Sequence, residues 1–133
     1  MVNQLHNLGE EAVLDAFFGQ AKNVEVFLYN ESSSTIADAG TMSDVQGEPT
    51  DGNYTRKTYA LNVDFVKDIS SGNTLYEITD MEWDVENTTG TVDAYGVMDQ
   101  SSGDLLWTGA LNNSKDLGPI DRLEQDKIGL SLN

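Results

Sequence analysis

Hydrophobic and polar positions along the chain follow two periods, one helical and short, the other alternating and repeated. Residues 9–19 (GEEAVLDAFFG) carry Ala12, Val13, Ala16 and Phe17 at i, i+1, i+4 and i+5, with Phe18 at the edge of that stripe. The spacing predicts one amphipathic helix, with Glu10 and Glu11 at the positive end of its dipole and Gly19 as its stop. A helix this short is stable only when packed, over the end of a sheet or against a neighbouring subunit.

Beyond it the pattern becomes β. Residues 24–29 (VEVFLY) are rich in β-branched and aromatic side chains and read as a first strand. Residues 30–53 form a long polar connection broken by the run GEPTDGN, a length usually associated with function or mobility. Residues 54–65 read as a second strand, because Tyr59, Leu61, Val63 and Phe65 alternate onto one face. After a turn at 70–73, a strand opens at 74–78. The clearest alternation follows, with Met81, Trp83 and Val85 on one side and Asp80, Glu82, Asp84 and Glu86 on the other. Turns at 87–90 and 100–103 bracket a strand over 91–99. Over 104–111, Leu105, Trp107, Gly109 and Leu111 share a face, and Ile128, Leu130 and Leu132 alternate at the end. About seven short strands separated by turns predict a mainly β chain. The expected architecture is an antiparallel β-sandwich, jelly-roll-like, with one short N-terminal helix. Residues 1–23 would form an N-terminal arm and helix, and residues 24–133 a single sandwich domain.

Charge changes the picture more than composition does. The 133 residues hold 23 Asp and Glu against 7 Lys and Arg, a formal charge of -16. Such a chain is repelled by nucleic acid and by anionic membranes, so neither is an expected partner. The carboxylates are dispersed and single, which fits neither a disordered acidic tail nor a dense phosphate-mimicking array. They suit a surface kept hydrated in concentrated salt, where self-repulsion is screened. The absence of cysteine excludes disulfides, thiolate metal sites and cysteine nucleophiles. No apolar run has membrane-spanning length, and the first residues lack a secretory-signal pattern.

Candidate chemistry is thin. His6, the one histidine, sits outside any triad-like context and reads as a solvent or interface residue. Glycosidase-type carboxylate pairs are uninformative where acids are so common, and the alternation turns Trp83 and Trp107 toward the core. The row Asp80, Glu82, Asp84 and Glu86 lies along a strand with same-side spacing of about 6.5–7 Å, so it cannot close around one ion. No cofactor is expected, and cations would gather there only diffusely. Loop acids Asp38, Asp44, Glu48 and Asp51 leave a loop-gathered ion open. Four N-x-S/T stretches, at Asn30, Asn53, Asn87 and Asn112, are explained by turn chemistry. The chain reads as no enzyme. The adjacent cations Arg56 and Lys57 are expected to meet carboxylates, within the chain or across an interface.

Several segments together resemble small virion structural proteins of tailed viruses, particularly those infecting halophilic archaea. They are Leu28-Tyr29-Asn30, then Glu48-Pro49-Thr50 leading through Gly52 and Tyr54 to Arg56, and Thr91-Val92-Asp93-Ala94-Tyr95. Leu106-Trp107-Thr108-Gly109-Ala110-Leu111 and Ile128-Gly129-Leu130-Ser131-Leu132 complete the set. The resemblance implies a virion location and a capsid decoration or cementing subunit. A vertex turret, a tail subunit or a carbohydrate-binding surface module are the alternatives. It also implies a major capsid protein or another virion protein as partner, and a homo-oligomer, trimeric or pentameric. Candidate assembly contacts are Leu5 and Leu8 in the arm 1–8, Phe17 and Phe18 on the helix, Arg56 and Lys57, with the 30–53 loop as a second surface.

Overall fold

A computed structural model describes residues 4–132 except Ser34; the arm residues Met1–Asn3 lie outside the described residues. Helix α1 (Asn7–Phe18) is followed by β1 (Asn23–Tyr29), two 3-10 turns (Glu31–Ser33 and Met42–Asp44) and β2 (Lys57–Ala60). A single helical turn, α2 (Leu61–Asp64), leads to β3 (Val66–Ser70), β4 (Asn73–Asp84), β5 (Thr91–Asp99), β6 (Leu105–Asp116) and β7 (Arg122–Leu130). The strands form two antiparallel sheets, ordered β2-β1-β5-β6 and β3-β4-β7. The chain is therefore the mainly β sandwich with one short N-terminal helix that the alternation predicts.

The sheets face each other across a core that includes Val24, Val26, Leu28, Met81, Trp83, Val85, Val97, Leu123 and Ile128. β4 changes its inward parity along its length. Ile78 is buried from one face of the strand, whereas Met81, Trp83 and Val85 are buried from positions of opposite parity. The switch falls at Asp80, which has a left-handed φ of 57°, a conformation aspartate tolerates better than most residues. β7 follows the switch, setting Ile128 opposite Ile78 and Leu123 opposite Trp83.

β1 is buried on both faces, and the reason lies in the long connection. Phe27 and Tyr29 point away from the main core, and with Ala94 they form a second cluster covered by Ile36, Met42 and Val45. The 30–53 segment is thus a packed flap over the outer face of the four-stranded sheet. Asn30 N donates to Gln46 O at 3.0 Å, and Thr41 and Asp44 form a reciprocal capping box around the second 3-10 turn. At the far end Asp51 accepts from Thr89 N and Thr89 Oγ1 at 3.0 and 2.7 Å. That contact ties the flap to the crossover between β4 and β5.

Three sequence expectations need correction. The stretch 54–65 is not one strand, because the chain must leave the first sheet and enter the second. Leu61 and Phe65 are buried four residues apart on a helical turn, Val63 is 71% exposed, and Asp64 Oδ2 accepts from Ala60 N at 2.7 Å. Leu105 does not share a face with Trp107. A register shift between Val97 and Met98 turns Leu105 onto the outer cluster, while Trp107 and Leu111 face the main core. The helix also presents a different face from the one its hydrophobic spacing selected: Leu14 and Phe18 are buried, while Ala12, Val13 and Ala16 lie outside.

Candidate assembly surface

α1 lies against the β3–β4 hairpin and closes one side of the sandwich. Leu14 and Phe18 enter the main core, each contributing about 1.5–3 kcal/mol of burial. The Phe18 ring stacks on Tyr76 with centroids 4.4 Å apart and planes 9° apart. Phe65 and Trp107 complete its surroundings at 5.3 and 5.8 Å. Lys67 on β3 bridges Glu11 and Asp15, with its Nζ 3.0 Å from Asp15 Oδ1, and Tyr76 Oη donates to Asp15 Oδ1 at 2.6 Å. Hydrogen bonds donated to Glu11 and then Asp15 hold the Lys67 ammonium well above the usual lysine range. The remaining acid of the helix, Glu10, is turned inward and is only 9% exposed.

Much of the outward side is apolar, flanked by the exposed Asp15. Leu8 is 82% exposed, and Ala12, Val13 and Ala16 continue the face. Leu5 folds back over Gly9, where a Cβ would come 2.7 Å from Leu5 Cδ1. Beside the helix, β3 pairs with β4 and, among the described residues, leaves its other edge open. Val66 and Ile69 on that strand are exposed, as is Leu132 just beyond β7.

The six residues singled out from sequence divide accordingly. Leu5 and Leu8 are exposed, Phe17 is half-buried against Trp107, and Phe18 is committed to the chain's own core and is not available as a surface contact. Arg56 is used internally. Its guanidinium meets both carboxylate oxygens of Glu48 at 2.7–2.8 Å, reaches Glu25 Oε1 at 3.3 Å, and lies 5.2 Å from the Phe27 ring centroid. Tyr54 Oη joins the cluster, donating to Glu48 and accepting from Leu28 N, so it occupies the edge of β1 beyond the end of β2. Lys57 stands on β2 opposite Val26, half-buried. Arg56 therefore latches the flap to β1 and is spent within the chain.

Tyr29, Glu31, Asp93, Thr108, Gly109 and Ala110 line a cleft of about 320 Å³ beside the flap. Its polar groups satisfy one another: the Tyr29 phenol donates to Glu31, and Asp93 accepts from Glu31 N and Ser32 N at 2.6 and 3.3 Å. Burial first, and the Glu31 bond second, push the Tyr29 phenol up, away from any role as a base near neutrality. The acids Asp80, Glu82, Asp84 and Glu86 are all exposed, as the alternation requires, and Glu82 stands opposite Glu124. Among the described residues no group of three or more His, Asp or Glu could hold a metal ion. Trp83 is buried and Trp107 belongs to the aromatic cluster around Phe18. His6 is exposed, its carbonyl receiving Glu10 N at 2.8 Å at the helix start.

Three carboxyls are held below their usual 3.8: Asp15 by the Tyr76 phenol and then Lys67, Asp51 by Thr89, and Asp99 by Lys22 and then Ser101 N. A depressed folded value means stability that is present above the unfolded value and lost as pH falls through the folded one. The urea midpoint is therefore expected to drop below about pH 4. Denaturation curves at stepped pH check this, and a midpoint that holds or rises through that window contradicts it.

The flap was hidden by its own polarity, since Ile36, Met42 and Val45 are isolated in a polar run. The signal that could have revealed it is β1 itself, where VFLY is apolar on both faces of a strand. Comparison with known proteins adds one finding. Residues 4–133 match the family model described as Podophage GP4 fiber I protein gp80. No curated protein and no solved structure matches the chain.

Proposed function

The chain belongs to the podophage GP4 fiber I protein gp80 family, and on that premise we propose that it is a subunit of a virion fibre, working by assembly and not by catalysis. Membership makes it a structural component of the virus particle. The observation that carries the fibre position is the family match itself, which runs over nearly the whole chain. Head decoration, favoured by the resemblance to proteins of halophilic viruses, ranks below it because the family is described by a fibre. The site supports assembly over chemistry, with an exposed apolar helix face on one side and a cleft whose polar groups are mutually satisfied on the other. Copies of the same chain and a neighbouring virion protein are the partners such a face would serve.

Immunogold labelling of intact particles tests the position. Label at the tail or its fibres is the expected result, and label spread evenly over the capsid would contradict it.

The acidity belongs to the same proposal, as adaptation to concentrated salt. The positive side chains Lys22, Arg56, Lys67 and Arg122 are occupied by local carboxylates. Most of the -16 charge is thus left to repel itself. Raising salt from about 0.1 M to 1 M shortens the screening length from about 10 Å to 3 Å. The thermal midpoint is expected to rise over that range. A salt titration followed by circular dichroism measures it, and an unchanged or falling midpoint removes the brine reading.

A further inference from the structure

We propose that the free edge of β6 is a docking site for an extended, basic segment of a different protein. The segment adds as a fifth strand and lays a lysine or arginine side chain into the acidic cleft beside the flap. The inference goes beyond the fibre reading and does not depend on it. Three observations lead to it.

The first is the edge itself. Among the described residues the two sheets end on β2, β6, β3 and β7. Open strand edges are normally blunted by charge, proline or a bulge. β2 carries Lys57, β3 carries Lys67 and Asp68, and β7 carries Arg122, Glu124, Asp126 and Lys127. Residues 105–110 of β6 (LLWTGA) hold no charge and no proline. Their register with β5 is unbroken from Trp107 to Ala110. In a chain carrying -16 this is a neutral, regular edge, of the kind that accepts an added strand.

The second is the surface beside that edge. Tyr29, Ala94 and Ala110 pair in one row across the outer face, and Phe27, Gly96 and Thr108 in the next. On β5 and β6 these rows hold small side chains, so a shallow lane runs from the edge to Tyr29. The cleft of about 320 Å³ lies along it. A strand added to β6 sits about 4.8 Å beyond it, and a side chain placed opposite Ala110 must cross Ala110 and Ala94 to reach the far wall. Lysine and arginine are built for that crossing, with an apolar stem to lie on the alanines and a charged head to project past them.

The third is the charge at the end of the lane. Val92 faces the main core, whereas Ala94, two residues on, faces the outer cluster. The change of parity falls at Asp93, where the register with β6 shifts; irregularities of this kind re-aim a side chain. The Asp93 carboxylate comes to rest against Glu31 N and Ser32 N. The donors of the cleft are satisfied, but its charge is not. The ion pairs among the described residues engage neither Glu31 nor Asp93. An ionised carboxylate offers about four acceptor sites, and both have sites to spare. Two carboxylates are too few to enclose a bare metal ion, so the cation that suits them arrives on a side chain. A second copy would bring a neutral strand and another pair of carboxylates, which directs the edge to a different, basic partner.

The probe is a fluorescently labelled peptide of alternating threonine and valine with a central arginine, followed by anisotropy against the full chain in about 0.1 M salt. Saturable binding below about 1 mM is expected. Replacing the arginine by norleucine should weaken it about tenfold or more, as loss of a charge-assisted contact implies. Asp93→Asn and Glu31→Gln should each act in the same direction, and the norleucine peptide, which leaves the protein untouched, separates lost charge from lost fold. N-methylation of one alternate set of the peptide's backbone amides should abolish binding, and of the other set should spare it, because only one side of an added strand bonds to β6. No saturable binding, equal binding of the norleucine peptide, or an equal effect of both methylation patterns overturns the docking site. Binding that weakens as the chain is made more concentrated puts a second copy on the edge and overturns it too.

Discussion

Phe18→Ala is expected to lower the free energy of unfolding by about 3–5 kcal/mol, the largest loss of any single side-chain truncation near the assembly surface. Phe18 is 3% exposed and enclosed by four rings, those of Phe17, Phe65, Tyr76 and Trp107. Its removal leaves a cavity that the rigid walls of two sheets cannot close. It also removes one of the two apolar anchors of a helix too short to persist alone, so the outward stripe of α1 loses its scaffold. The Tyr76 ring is left without its stacked partner, which weakens the bond to Asp15 as well. Urea denaturation measures the loss. Val13→Ala on the same helix, where the side chain is 49% exposed, should stay within about 0.5 kcal/mol. Equal costs for the two variants would show that α1 is not anchored as described.

Gly52→Ala is the second large effect, by a different mechanism. Gly52 has a φ of +63°, and a Cβ there would lie 2.3 Å from Asn87 C, 2.4 Å from its carbonyl oxygen and 2.4 Å from Thr88 N. All three are backbone atoms, so no side chain can swing aside. The left-handed conformation alone costs roughly 1–2 kcal/mol for a residue with a Cβ, and the overlap adds about 1–3 kcal/mol. To relieve it the flap must withdraw from the crossover, breaking Asn53 N to Glu86 O at 2.9 Å and loosening the Asp51–Thr89 pair. Gly103→Ala separates the two contributions. Gly103 has a φ of +78° with nothing within 4 Å of the added atom, so it pays only the backbone share. Thermal melts of both variants should place Gly52→Ala clearly below Gly103→Ala, and similar midpoints would contradict the close approach.

These two sites also mark where sequence reasoning succeeded and where it stopped. Alternation carried the strands well wherever one face is buried and the other wet, as from Met81 to Val85. It failed at Leu61 and Phe65, because a period of two and a spacing of four coincide at those positions. Only the need to pass from one sheet to the other decides for a helical turn. It chose the wrong face of α1 because both faces are apolar, and hydrophobicity cannot say which one its own chain will use. For the same reason Phe18 was expected at an interface when it belongs to the core. Arg56 was expected to find carboxylates, but its partners Glu25 and Glu48 lie 31 and 8 residues away. No spacing rule singles them out. The acidity was legible as a surface property, whereas the burial of Glu10 and the contacts of Glu11 and Asp15 with Lys67 show only in three dimensions.

A fibre subunit proposed on the family match must be built into the virus particle. Quantitative mass spectrometry of purified particles, washed free of loosely bound protein and referenced to the major shell protein, tests it most directly. The expected result is a small, fixed copy number per particle that survives washing. Absence from the particle, or a copy number comparable to the shell protein, would contradict it.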